Sequence, residues 1–485
     1  MRIRNPRRSV LTGAVAALGV CSLVLAFIAP GVEETKVDLN DGGVWVTNAK
    51  RGIVAHVNVP ARLMDAGLHA ASSAFDVFQN GEQVQLSDQV ANTLAPIDVK
   101  TATLTSAVDY RGMTTDVRGG TIAVTDAPNG KVWAQQADHP APINTDDADA
   151  SISDLPGAVT TVDSEGNVHA VSAEAGRVTS LLKRGALTDT KTTPLTGIGA
   201  TDYLQIAAVG TDVVVWDRDT STLYLPGGKT QRIDGERVVL QDTGPKTNDV
   251  LLSSPDALIR VPIGGGSPTT VPAPAPGGNP TRPVAHNKCA YAAWSATGAF
   301  VRDCPSDADD REMVVDSLVS AEKAIFRTNR DVIVLNDIEK DGLWLPDSDM
   351  ILVDNWDQLE SKLESEKETE DQSVDDIDNT VAPDRNQDNT PPEAVDDDFG
   401  VRAGKTVILP VLMNDSDADG DFMTASALTQ PSLGQVSVAR EGAALQIAVN
   451  KDASGTSTFD YEVSDGRGGT AQAHVTLTVH SDDVN

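Results

Sequence analysis

Carboxylates carry the most conspicuous chemistry in this chain. In "NDSDADGDFM", Asn414 to Met423, the residues Asp415, Asp417, Asp419 and Asp421 alternate with small neighbours. Oxygen donors at alternate positions suit a hard cation such as Ca²⁺, which takes six to eight of them. The same residues also make an ordinary solvated turn. The run from Asp415 to Gly420 begins as an EF-hand loop begins, but the twelfth position is Ser426 in place of Glu, and no flanking helices are legible. The stretch therefore fits an EF-hand poorly.

Other constellations are weaker. His56, His69, His139, His169, His286, His474 and His480 are scattered, with no H-E-x-x-H and no pair at helical spacing. "GGGSP" lacks the lysine of a phosphate loop, and there is no G-x-S-x-G elbow. Asp126, Asp163, Asp217 and Asp337 fall in hairpin turns, where Asp is favoured for its own backbone hydrogen bonds. Cys289 and Cys304 have no Cys or His at ligand spacing, so in an exported region they read as a disulfide.

Charge and the N-terminus fix the setting. The net charge of −33 argues against nucleic acid as a partner, because phosphate recognition needs clustered Lys and Arg. Residues 1–30 differ from the rest: "MRIRNPRRS" is basic, and the apolar run Val10 to Ala29 is long enough to cross a bilayer core. This predicts a cytoplasmic tail and a transmembrane signal anchor with the bulk of the chain extracellular. Cleavage is the competing reading, and "AFIAPGVEET" offers it a poor site.

The elements that must position any site are strands. Between residues 38 and 346 eight apolar hairpins recur at roughly forty residues: "VWVTNAKRGIVAHV", "FDVFQNGEQVQL", "IAVTDAPNGKVWAQ", "TTVDSEGNVHAV", "VVVWDRDTSTLYL", "VLLSSPDALIRV", "YAAWSATGAFVR" and "VIVLNDIEKDGLWL". That period in an all-β sequence predicts a β-propeller. Propellers often close by pairing strands from both chain ends in one blade, so seven blades are preferred, with six or eight also compatible. Trp45, Trp133, Trp216, Trp294 and Trp344 sit beside the turns and read as packing between blades. Residues 347–390 are acidic and poor in large apolar side chains. They read as a disordered linker with at most a turn or two of helix. From 391 to 480, alternation in "STFDYEVSDG" and "AQAHVTLTV" predicts a small antiparallel β-sandwich.

The sandwich segment carries a recognisable pattern. "PPEAVDDDFGVRAGKTVILPVLMNDSDADGD" followed by "GTSTFDYEVSDGRGGTAQAHVTLTV" resembles the bacterial immunoglobulin-like, cadherin-like domains of large exported proteins. The layout of anchor, propeller, acidic linker and Ig-like domain resembles actinobacterial membrane-anchored surface proteins. The resemblance implies Ca²⁺ ligands drawn from separate loops at one end of the sandwich. The matching positions are Asp397, Asp398, Asp415, Asp417, Asp419, Asp421 and Asp465. It also implies a non-enzymatic cell-surface protein whose propeller binds a cell-wall component or surface protein, with the Ig-like domain as a spacer or adhesion module. The alternative is an extracellular propeller hydrolase or lyase acting on polysaccharide. A propeller can assemble such a site from carboxylates far apart in sequence.

Overall fold

Each of the eight apolar hairpins falls in a different antiparallel sheet, and the sheets follow one another along the chain. They span 43–69, 75–109, 114–136, 159–194, 204–232, 239–272, 279–314 and 324–352. The computed structural model describes residues 43–81, 83–145, 149–184, 187–373, 389–418 and 421–480. Several of the turns hold because a short polar side chain closes them by accepting nearby backbone N–H groups. Asn48 does so for Arg51, Asp88 for Val90 and Ala91, and Asp217 for Asp219 and Thr220.

Among the described residues the sheets ahead of the Ig-like domain number eight, a count compatible with the sequence though seven was preferred. The preference for seven assumed that strands from both chain ends share a blade, and among the described residues no sheet mixes them. The ring closes by other means. Strand β1 (Gly43–Asn48) pairs with β2 (Ile53–Asn58), and β2 with β3 (Leu63–His69). The other edge of β1 faces the second and eighth sheets, which would leave the alternate peptide groups of residues 43, 45 and 47 without a strand partner. Primary amides stand in for that strand. Gln79 accepts from the Trp45 N–H and donates to its carbonyl, at 2.8 and 2.9 Å. Asn336 does the same for Thr47, at 3.0 Å each way, and Asn329 donates to the Gly43 carbonyl. The buried Arg327 guanidinium completes the seam by reaching Thr47 Oγ1 and Asp76.

On the outer edge of the first sheet the same problem is solved by the C-terminal side. Asn355 bonds the N–H and C=O of Met64 in β3, and helix α1 (Trp356–Ser373) follows. Trp356, Leu359 and Leu363 enter one core with Val44, Ile53 and Val57 of the first sheet and Val334, Leu343 and Leu345 of the eighth. Each of these large side chains contributes roughly 1.5–3 kcal/mol by burial. Residues 347–363 therefore pack on the propeller body, inside the stretch expected to be a disordered linker. The composition misleads because the three anchoring positions, spaced i, i+3 and i+7, are diluted by solvent-facing acids. Arg51 ties the seam further, bonding Asp341 of the eighth sheet and both Asp357 and Glu360 of α1. The guanidinium holds the Asp341 carboxyl down at about 2.

Residues 397–480 form the expected sandwich. One sheet runs Asp397–Arg402, Thr470–His480, Thr456–Ser464, Thr424–Ala427; the other runs Thr406–Leu409, Ala444–Val449, Gly434–Ala439. The sheets are antiparallel except that Asp397–Arg402 lies parallel to Thr470–His480. Phe459, Tyr461, Val463, Val475 and Leu477 fill the core between them. The sandwich packs on the propeller through buried polar contacts. Asn58 donates to Gln446 at 2.8 Å, and Arg330 pairs with Glu441 at 2.7 Å. The signal anchor expected at Val10 to Ala29 lies outside the described residues. Among those described, no helix is long and apolar enough to cross a membrane.

Candidate functional site: the central cavity and the acidic end of the sandwich

Every sheet from the second to the eighth starts at the centre and proceeds outward through antiparallel strands. Four such strands return the chain to the end it started from, so the central strands run the same way round the ring. They enclose a cavity of about 760 Å³ lined by the second to eighth sheets and not by the first. Its walls carry hydroxyls of Thr115, Thr160, Thr161, Thr243 and Thr328, and amides of Gln79, Asn80, Gln205 and Asn287. Several of these are already engaged in holding neighbouring blades. Gln205 accepts from the Leu240 N–H, and Thr161 bonds Thr243.

Charges in the cavity fall into two kinds. Arg282 pairs with Asp242 at 2.9 Å, and the buried Arg327 with Asp76. These are seam contacts. Asp116 accepts from the Val162 N–H at 2.8 Å, and its withdrawal from water pushes its carboxyl above the usual range against the pull of Arg118. The Arg118 guanidinium has no hydrogen-bond or ion-pair partner among the described residues, and acts on Asp116 through space. The buried Nε2 of His286 likewise has no hydrogen-bond partner among them. Sequence reasoning missed this set, since no local pattern joins residues so far apart. The available signal was the polar residues ending several central strands, as in "QNG", "VRGG", "HNK" and "TNRD".

The seven carboxylates expected to hold Ca²⁺ are placed as follows. Asp397 and Asp415 converge on Tyr461, whose hydroxyl bonds Asp415 at 3.1 Å and the Val395 carbonyl at 3.0 Å. Burial first, then the neighbouring Asp415 charge, pushes the Asp397 carboxyl up to about 6. Burial raises that of Asp415 also, and burial first, then the charges of both carboxylates, pushes the Tyr461 hydroxyl upward. Asp397 Oδ2 is buried with no hydrogen-bond partner, which suits a cation ligand. The others are differently employed. Asp421 pairs with Arg467 at 2.9 Å, and Asp417 accepts from the Asp421 N–H. Burial works to raise Asp465, but donors from Asn389, Arg467 and Gly469 outweigh it and hold the carboxyl down. Asp398 is exposed, and Asp419 lies outside the described residues. Among the described residues no group of three or more such side chains stands ready to hold a metal ion. Of the six described, Asp397 and Asp415 are the two that converge.

Cys289 and Cys304 are joined in a disulfide, with Cα atoms 4.2 Å apart at the end of a strand pair.

Residues 389–478 match the family model described as Bacterial Ig domain. No curated protein matches the chain. Among solved structures, dihydro-heme d1 dehydrogenase NirN aligns at 10% identity and TM-score 0.46, over 67% of this chain and 75% of that one. Apo AztD from Citrobacter koseri aligns at 12% and 0.42, over 64% and 93%. BamB from Moraxella catarrhalis aligns at 14% and 0.33, over 52% and 78%. At those values the likenesses carry no argument, and the propeller rests on its strand topology.

Proposed function

We propose that this chain is a non-enzymatic surface protein of actinobacterial type, tethered by its N-terminal segment, whose propeller binds a cell-wall component or surface protein through the central cavity. The observation that carries the reading is the lining itself. An open cavity walled by Thr hydroxyls, Asn and Gln amides and guanidinium groups is chemistry for holding a polar ligand by many hydrogen bonds. The Ig-like domain serves as an adhesion module packed on the propeller through Asn58–Gln446 and Arg330–Glu441, in place of a freely swinging spacer. Ca²⁺ at the acidic end is held by Asp397 and Asp415, where a cation would relieve two crowded carboxylates. The test is retention of the chain on washed cell-wall fractions. Passage at the void volume at every salt concentration overturns the proposal.

One observation favours a second reading. A carboxyl whose proton is held more tightly by burial inside a cavity, as at Asp116, suits a general acid for polysaccharide cleavage. Release of reducing ends from wall polysaccharide, lost in Asp116→Asn, would establish it.

A further inference from the structure

At one mouth of the cavity the chain displays a bound carboxylate of its own. Arg330 ends the central strand of the eighth sheet and lines the cavity. Its guanidinium grips Glu441 in a fork, Nη1 to Oε1 at 2.7 Å and Nη2 to Oε2 at 3.3 Å. Glu441 is presented by a tight turn of the Ig-like domain in which Arg440 and Glu441 take φ of 51° and 52°. Left-handed backbone at two successive non-glycine residues is strained, and such strain persists where the surroundings enforce a contact.

The rest of that mouth is rich in cationic and donor side chains, with Arg118 acting on Asp116 only through space. Arg118 ends the central strand of the third sheet, and the neighbouring second sheet contributes Asn80. His286, at the end of a central strand in the seventh sheet, keeps its buried Nε2 without a hydrogen-bond partner among the described residues. In a chain of net charge −33, two guanidinium groups and a histidine at one opening are a local exception. Planar forked donors match carboxylates.

We propose that this mouth is a binding site for an acidic peptide segment, and that Glu441 occupies it in part so that the docked Ig-like domain restrains access. The proposal rests on the reading of the propeller as a binding module. A peptide is favoured over an acidic saccharide because the occupant in place is a glutamate offered by a protein turn. An incoming segment would displace Glu441 from Arg330 and gain Arg118 as a second anchor. Its apparent affinity would be lowered by the competition.

The test is binding of fluorescent hexaglutamate to the full chain at physiological salt, read by anisotropy, with trigalacturonate as the second probe. Glu441→Gln should tighten hexaglutamate binding by about tenfold, and Asn58→Ala, which loosens the docking elsewhere, should act in the same direction. Arg118→Gln placed on Glu441→Gln should remove the gain. Tryptophan fluorescence melts verify that each variant keeps its propeller. Equal binding by wild type and both loosened variants, or no loss with Arg118→Gln, overturns the proposal. Tighter binding of trigalacturonate than of hexaglutamate overturns the peptide assignment. Wall retention without peptide binding defeats this inference and leaves the function reading standing; loss of both defeats the reading itself.

Discussion

Asn336→Leu tests how the ring is closed. Asn336 is fully buried and bonds three groups at 3.0 Å: the N–H and the carbonyl of Thr47, and Nε of Arg327. Leucine keeps most of the volume and provides none of these bonds. Leaving a buried peptide donor or acceptor unpaired costs roughly 1–3 kcal/mol each. Arg327 keeps Thr47 Oγ1, Asp76 and the Val77 carbonyl, so its share is small. The expected loss is about 3–5 kcal/mol, a large part of the roughly 5–15 kcal/mol that holds a typical domain together. All six tryptophans, at 45, 133, 216, 294, 344 and 356, lie outside the Ig-like domain, so their fluorescence in a urea titration reports the propeller alone. The midpoint should fall without a change of slope, while Gln89→Leu at an exposed amide should stay within about 0.5 kcal/mol of wild type. A loss under about 1 kcal/mol in Asn336→Leu would refute the claim that amides replace a strand on the free edge of β1.

Three other outcomes follow. Asp341 is held at about 2 by Arg51, below its unfolded value near 3.9; its stabilisation is present above pH ~4 and lost as pH falls toward ~2. Propeller midpoints should drop across that window and flatten in Asp341→Asn, by a modest amount because the side chain is 40% exposed. Asp397 has the opposite sign: its raised value near 6 means the sandwich loses stability as pH rises from about 4 through 6. Asp397→Asn should therefore stabilise the Ig transition at pH 7 by about 1 kcal/mol after discounting for exposure, while Ca²⁺ should raise the wild-type calorimetric midpoint relative to chelator and leave the variant unchanged. Replacing Cys289 and Cys304 by serine opens a loop of 15 residues and should cost roughly 3 kcal/mol of propeller stability, seen in the same urea titration.

The hairpins were legible in the sequence because period-two apolar alternation and a turn-closing Asn, Asp or Ser are both local signals. The blade count was not, because closure depends on what meets the two ends of the ring, and amides 34 to 289 residues away from their peptide partners leave no local trace. Helix α1 was hidden by composition. Its three apolar anchors matter only because β3 and the eighth sheet present a surface for them. In the sandwich the acidic set was visible, but which two carboxylates would share Tyr461 was decided by the packing of two sheets. The cavity had the least signal of all, since the polar residues ending each short central strand resemble any turn until the ring brings them together.

The central claim, that the cavity binds without cleaving, is tested most directly by one incubation of the full chain with cell-wall polysaccharide, scored for both retention and newly released reducing ends. Retention is expected, and it should be lost in the cavity-lining variants Arg118→Gln and Asn80→Ala, with no reducing ends above the blank. Reducing ends that accumulate with time and vanish in Asp116→Asn, or retention indifferent to both lining variants, would contradict it.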